Sequence, residues 1–292
     1  MLVLQVRNLY MTHQSFKLIG STLLSLALAA GAAGEPTNNQ RWSELRYEAK
    51  SIWATALIKL TLGAQESTEF GGVLNLLLVG SVAKNSARDM FLLAPNSAAV
   101  LARERLTSGK SQRMKQYAYS GNTVTRTRRE PGTVKALPPQ QWPISSKKML
   151  ERPSLQECPV LSVIPALLML AQTVSSAPNQ TLSTCVHSDN NFYRVQMKKR
   201  GEQVLTVDYT VAGAKVGGEK TTDVIAVEVE RVGVPDGDSD FSLLGLSSPV
   251  VILVGKQAQL PLQVRGKAPH IGNTRINLVG ATLTPPTVEQ TP

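Results

Sequence analysis

The chain has 292 residues, a formal net charge of +10, two cysteines and three histidines. Two cysteines outside any C-x-x-C pair exclude a cysteine-rich zinc module, and the absence of G-x-S-x-G and H-E-x-x-H removes the commonest hydrolase and metalloprotease signatures. The length leaves room for one domain of generous size.

The first segment, Met1–Gly34, carries Arg7 and Lys17 and no acidic residue. An apolar run from Leu18 to Ala30 follows, and Gly31-Ala32-Ala33-Gly34 leads into Glu35-Pro36. A basic start, an apolar core and small residues at the cleavage point are the pattern of a secretory signal peptide, with a retained membrane anchor as the alternative. Met11 offers a second translation start, and no cysteine stands at the cleavage point to carry a lipid. The expectation is a soluble protein exported to the periplasm. It comprises a leader over 1–34, one β domain over 35–283 and a Pro/Thr-rich disordered tail over 284–292. Without Arg7 and Lys17 the charge falls from +10 to +8.

From Trp42 onward the hydrophobic pattern has mostly period two, the mark of half-buried strands. Trp42–Leu62 reads as one long or bent strand, and Gly71-Gly72 turns the chain into Val73–Ala83. Lys84-Asn85-Ser86 turns it again, and strands follow over Asp89–Leu93, Ala98–Leu106 and Ser111–Tyr119. Ser120-Gly121-Asn122 is a hairpin turn that returns Thr123–Arg129 alongside Lys115–Tyr119. Cations crowd this stretch, opposed only by Asp89, Glu104 and Glu130. Arg103, Arg105, Arg113, Lys115, Arg126, Arg128 and Arg129 fall mainly on alternate positions, which predicts one exposed basic face, interleaved with Tyr117 and Tyr119. Such a face binds polyanions or is merely solvated. Export argues against nucleic acid and leaves phospholipid or lipopolysaccharide head groups and acidic polysaccharides.

The prolines between Pro131 and Pro153 mark an irregular crossing into Leu155–Ser176, the one long helix-like segment. Ser154 and Glu157 have the spacing of a capping box. Apolar residues from Val160 to Leu170 then crowd nearly all round, so the helix near 154–175 is expected to be buried rather than interfacial. Pro159 fits a first turn, whereas Pro165 predicts a kink or break. Cys158 and Cys185 are the only cysteines, and in an oxidising compartment an even pair is read as a disulfide, pinning the helix to the strand beginning near Leu182. The alternatives are free or redox-active thiols.

After the helix, strands are predicted over Leu182–Ser188, Phe192–Arg200, Gln203–Thr210, Thr221–Val232, Ser248–Val254, Leu260–Arg265 and Thr274–Leu283, with Lys199–Glu202 as a turn. Strands with short turns, one central helix and no βαβ rhythm predict a mainly β fold: a strongly curved antiparallel sheet or open barrel around one buried helix. Gly213–Thr221 fails as a phosphate loop because Glu219 interrupts the glycine–lysine spacing, and it is read as a hairpin turn. Asp236-Gly237-Asp238-Ser239-Asp240 fails as a calcium loop because Phe241 takes the glycine position and Ser247 the closing glutamate position. His187 and Asp189 lie close to Cys185, but a bridged cysteine leaves them no nucleophile. No catalytic residue, metal site or cofactor is therefore assigned, and the chain is read as a non-enzyme.

Tyr119-Ser120-Gly121-Asn122 leading to Pro138-Pro139, the run Pro159–Ile164, and Leu260-Pro261-Leu262-Gln263-Val264 shortly before Ile271-Gly272 together resemble a family of uncharacterised exported proteins of Gram-negative bacteria, known mainly as a domain of unknown function. The resemblance spans roughly Leu45–Leu283, with a Cys-Pro where the family commonly has Asp-Pro. It implies a curved antiparallel sheet wrapped partly around a helix, similar to periplasmic lipoprotein carriers, and implies no catalytic residues. Two functions follow as expectations. One is a periplasmic binding or carrier module for a hydrophobic or anionic envelope ligand such as a lipid, with some membrane-surface contact. The other is a non-catalytic structural or interaction protein of the envelope. They differ in whether a cavity remains beside the helix.

Overall fold

The computed structural model describes residues 42–50, 55–133, 136–177, 179–233 and 241–284. The leader, the Asp236–Asp240 cluster and all but the first residue of the tail lie outside the described residues. Among the described residues, fifteen strands form a single sheet. The first run is an antiparallel meander: β1 (Glu44–Lys50), β2 (Thr55–Ser67), β3 (Gly71–Val82), β4 (Asn85–Leu93), β5 (Val100–Ser108), β6 (Arg113–Ser120), β7 (Thr123–Arg129) and β8 (Ile144–Glu151). The second run comprises β9 (Leu161–Val163), β10 (Leu182–His187), β11 (Phe192–Val211), β12 (Ala214–Val232), β13 (Ser247–Gly255), β14 (Pro261–Ala268) and β15 (Gly272–Thr282). It returns to dock β15 against β1, so β8 and β9 are the two ends of the sheet.

The predicted fold class is the observed one: a curved, mainly antiparallel sheet around one buried helix. Alternation sets which face is buried. Along β2, Ile58, Leu60 and Leu62 are buried while Leu57 and Lys59 are exposed. In-register neighbours continue the same face, as Ile58 does with Tyr47 and Leu60 with Leu45. The tip of the long β11–β12 hairpin also meets β15 in parallel, Thr210 beside Gly280 and Val211 beside Ala281, so the second run curls back upon itself.

Several strand assignments change. Gly213–Thr221, read as a turn, belongs from Ala214 onward to β12. Trp42–Leu62 is not one strand but parts of two, with Glu44 opposite Thr61 and Lys50 opposite Thr55. Phe192–Val211 is one strand rather than two. Lys199–Glu202, expected to be a turn, is an irregularity in the β11–β12 ladder, with Gly201 at φ +140° supplying backbone that other residues rarely adopt. The crossing from Pro131 to Pro153 contains β8, whose pattern is almost wholly exposed and therefore lacks the alternation that reveals a half-buried strand.

The helix is shorter than its apolar run. α1 covers Leu167–Ser176 only, preceded by β9 and by a 3-10 turn over Ile164–Ala166. Pro165 decides this, because its ring is tolerated in a first turn and not in a helix interior. The Ser154–Glu157 hydrogen bonds of a capping box do form, Glu157 N donating to Ser154 Oγ at 3.2 Å and Ser154 N to Glu157 Oε2 at 3.3 Å. They close an isolated turn instead of starting a helix. β9 and β10 are parallel, so the described residues contain a β–α–β crossover that the strand pattern does not reveal. α1 lies against β11–β14 and buries Leu167, Leu168, Ala171, Gln172, Val174 and Ser175. Its polar groups are answered: Gln172 accepts from Trp42 Nε1 at 2.9 Å and donates to the Gln259 carbonyl at 2.6 Å, and Ser175 donates to Asp223 at 2.6 Å.

Cys158 and Cys185 form a disulfide with Cα atoms 5.5 Å apart, both cysteines buried. Cys185 pairs in register with Leu161, so the bridge holds the segment entering β9, rather than the helix itself, against β10. The residues lie 27 apart in sequence, a loop whose closure removes about 3–4 kcal/mol of unfolded-chain entropy in the entropic treatment. Replacing both cysteines by alanine is expected to lower unfolding free energy by about that amount. Urea unfolding followed by tryptophan fluorescence checks it, and an unchanged midpoint would contradict it.

Candidate functional site

A cavity of about 1260 Å³ opens between the inner face of β1–β5 and the chain opposite it. Ile58, Leu78, Gly80, Ala87 and Phe91 line one wall; Leu244, Leu246, Ile271 and Ile276 line the other. Ile164 and Pro165, at the entry to α1, also face it. The small residues Gly80 and Ala87 are in register on β3 and β4, with Ile58 beside Gly80 on β2. They leave space that larger side chains would fill, and a Cβ built on Gly80 meets nothing within 4 Å.

One end of the cavity is polar. Asp89, Arg103, Arg105 and Thr107 reach it from β4 and β5, and His187, Ser188 and Asp189 from β10 and the turn after it. Cross-strand register explains why these groups share a face. Phe91, Arg103, Tyr117 and Arg126 form one row across β4–β7, and Asp89, Arg105, Lys115 and Arg128 form the next.

The basic residues singled out in the sequence thus do not make one exposed face. Arg103 and Lys115 are each 8% exposed, turned inward on the concave side. Arg126 is also largely covered, with 14% of its side chain exposed. Arg105 is partly open and Arg128 pairs with Glu130. Arg113, in register with Thr107, continues the same face. Arg129 belongs to the other side of β7, where it donates to the Trp142 carbonyl at 2.8 Å. Alternation puts all of these cations except Arg129 on one side of the sheet, but it cannot say which side is inside. The strands of the second run decide that.

The turn between β10 and β11 delivers the counter-groups. Asp189 takes an ion pair from Lys115, a hydrogen bond from the Tyr117 hydroxyl and a longer ion pair from Arg126 at 3.7 Å. Asn190 accepts from Arg126, and the Ser188 carbonyl accepts from Arg103 Nη1 at 2.7 Å. Arg103 also donates to Asp89 Oδ1 through Nε and Nη2, both at 3.3 Å, and its guanidinium lies over the Phe91 and Tyr117 rings. Arg105 Nε stands 3.6 Å from Asp89 Oδ2. The His187 ring is stacked on Phe192, their centroids 4.9 Å apart, and its Nδ1 meets the Tyr119 hydroxyl at 2.9 Å.

These surroundings shift the titrating groups. Burial, followed by the charge of Arg103, pushes the His187 imidazole down to about 3, so it is neutral near neutral pH. Burial alone would raise the Asp189 carboxyl, but hydrogen bonds from Lys115 and Tyr117 and the charges of Lys115 and Arg126 outweigh it and hold the group well below the ordinary carboxylate range. Burial raises the Tyr117 and Tyr119 phenols. Among the described residues no group of His, Cys, Asp and Glu could hold a metal, and no helix is long and apolar enough to cross a membrane. The sequence pattern groups the cations and sets His187 and Asp189 beside Cys185. It carries no sign that these two groups meet the basic strands, since Lys115 and Asp189 lie 74 residues apart.

The two shifts give separate pH windows. A histidine depressed from 6.5 to about 3 costs stability as pH falls from about 6.5 towards 3, because the unfolded chain takes the proton first. Asp189, depressed from 3.8, contributes stability that is present above that value and lost as pH falls further. His187→Gln is therefore expected to flatten the decline in stability between about pH 6.5 and 4. Urea titrations of both proteins across that range check it, and parallel curves would rule the buried neutral imidazole out as the cause.

No protein-family model matches the chain, and no curated protein matches it. Among solved structures the chain is similar to a β-barrel-like protein of Domain of Unknown Function DUF1849 from Brucella abortus. That similarity has a TM-score of 0.44 and 9% sequence identity, and covers 84% of this chain and 98% of that one.

Proposed function

We propose that this chain is an exported cell-envelope binding protein, a periplasmic carrier module that holds the apolar part of a lipid-like ligand in the cavity beside α1. The observation that supports it is the cavity itself. Its volume of about 1260 Å³ exceeds the roughly 300–1,000 Å³ of common small-molecule sites, and its lining mixes aliphatic side chains such as Ile58, Leu78, Leu244 and Ile276 with polar and charged ones. The helix does not plug this space: it packs on β11–β14, and only the residues leading into it face the cavity. A purely structural or interaction role in the envelope needs no such void. Export rests on the pattern of residues 1–34, and the reading is of a binder rather than a catalyst, with no cofactor and no nucleic-acid partner.

Gly80→Leu tests the cavity directly, because the new side chain projects beside Ile58 and Ala87 into open space. The neutral fluorescent probe N-phenylnaphthylamine is expected to bind the parent protein and to bind Gly80→Leu about tenfold more weakly, with thermal stability retained. Equal binding by the two proteins would remove the cavity as the site. Mass spectrometry of lipids that co-purify from periplasm identifies the natural occupant.

A further inference from the structure

The polar end of the cavity is lined by two cations, Arg103 and Arg105, and two carboxylates, Asp89 and Asp189, and their commitments are unequal. Arg103 is committed to the Ser188 carbonyl, Asp89 and two aromatic faces. Asp189 is already held by Lys115, Tyr117 and Arg126. Asp89 gives one oxygen to Arg103 and the other, at 3.6 Å, to Arg105. That long contact is an ion pair and not a hydrogen bond. Among the described residues Arg105 therefore keeps its guanidinium donors without a hydrogen bond while lining the cavity, with 36% of its side chain exposed. His187, reaching the same end from β10, has a buried Nε2 with no partner among the described residues. Lys115 and Arg126 stand outside the lining and answer Asp189, which leaves Asp89 as the carboxylate that Arg103 and Arg105 share.

We infer that the cavity selects amphiphiles by an anionic head group, carboxylate or phosphate monoester, with Arg105 as its anchor. This rests on the proposed binding of an apolar chain and adds which end enters against β5. A planar guanidinium with free donors suits either oxyanion through paired hydrogen bonds. Asp89 limits the selection on the other side: it neutralises Arg103 and disfavours a second carboxylate, so one compact anion is preferred over a polyanion. Arg275 also lines the cavity, on β15, and serves as the comparison.

The experiment displaces N-phenylnaphthylamine from the full chain with dodecanol, dodecanoate, dodecyl phosphate and dodecyltrimethylammonium. The parent protein is expected to bind one or both anions about tenfold more tightly than dodecanol, and the cation most weakly. Which anion binds more tightly separates a fatty acid from a phosphorylated lipid as the source. Arg105→Gln is expected to bring the anions to the dodecanol level while leaving dodecanol unchanged, and Arg105→Lys to keep part of the preference. An anion preference that persists in Arg105→Gln, or vanishes only in Arg275→Gln, overturns the assignment but not the cavity. Equal binding of dodecanol and both anions by the parent protein also overturns it. Failure of every amphiphile to displace the probe removes the cavity reading and the anchor together.

Discussion

The carboxylate of Asp189 is the group on which the arrangement of the two strand runs depends. β5–β7 carry Arg103, Lys115 and Arg126 on their concave side, and buried cations are costly unless paired and hydrogen-bonded. The turn after β10 brings Ser188, Asp189 and Asn190 to these three side chains, and each cation finds an acceptor there. Sheet pairing alone does not join these strands, since the ladder runs the long way round through β1 and β15. The polar seam spans the gap directly. A second contact nearby, Ser162 Oγ donating to the Ala98 carbonyl at 2.6 Å, joins β9 to the approach of β5.

The disulfide and Pro165 set where that turn can reach. Pro165 forces α1 to begin at Leu167, so the apolar residues Leu161–Val163 are available as a strand. The bridge then holds the entry to β9 against β10. His187, Ser188 and Asp189 follow closely on Cys185, and their position is therefore fixed by a covalent tie just upstream.

Much of this is legible in the sequence because turns and alternation are local signals. The β6–β7 hairpin is readable from Ser120-Gly121-Asn122, and the buried faces of β2 and β12 from their period of two. The features that escape such a reading are either weakly patterned or non-local. β8 shows no buried alternation, and Gly201 imitates a turn while serving a bulge. The apolar run overstates the length of the helix because it does not distinguish helix from buried strand. The inward direction of Arg103 and Lys115 is hidden for a different reason. Their partners Ser188 and Asp189 lie beyond the helix, and no local rule connects residues so far apart.

The same seam explains why the cavity has a polar end at all. If β5–β7 presented only aliphatic side chains, the second run could close on them and fill the interior as a dry core. Cations there must instead be kept at hydrogen-bonding distance from the incoming turn, which holds the two walls apart. Gly80 and Ala87 then leave the neighbouring strands too thin to fill the space between. Arg105 sits at the boundary between these regions, paired weakly with Asp89 on one side and facing the aliphatic walls on the other. A guanidinium with only a 3.6 Å contact to a carboxylate, at the edge of a large cavity, is not what packing alone would favour, because packing prefers a smaller residue or a closer partner. The proposed ligand, with an anion at one end and hydrocarbon at the other, is one that such an arrangement would suit.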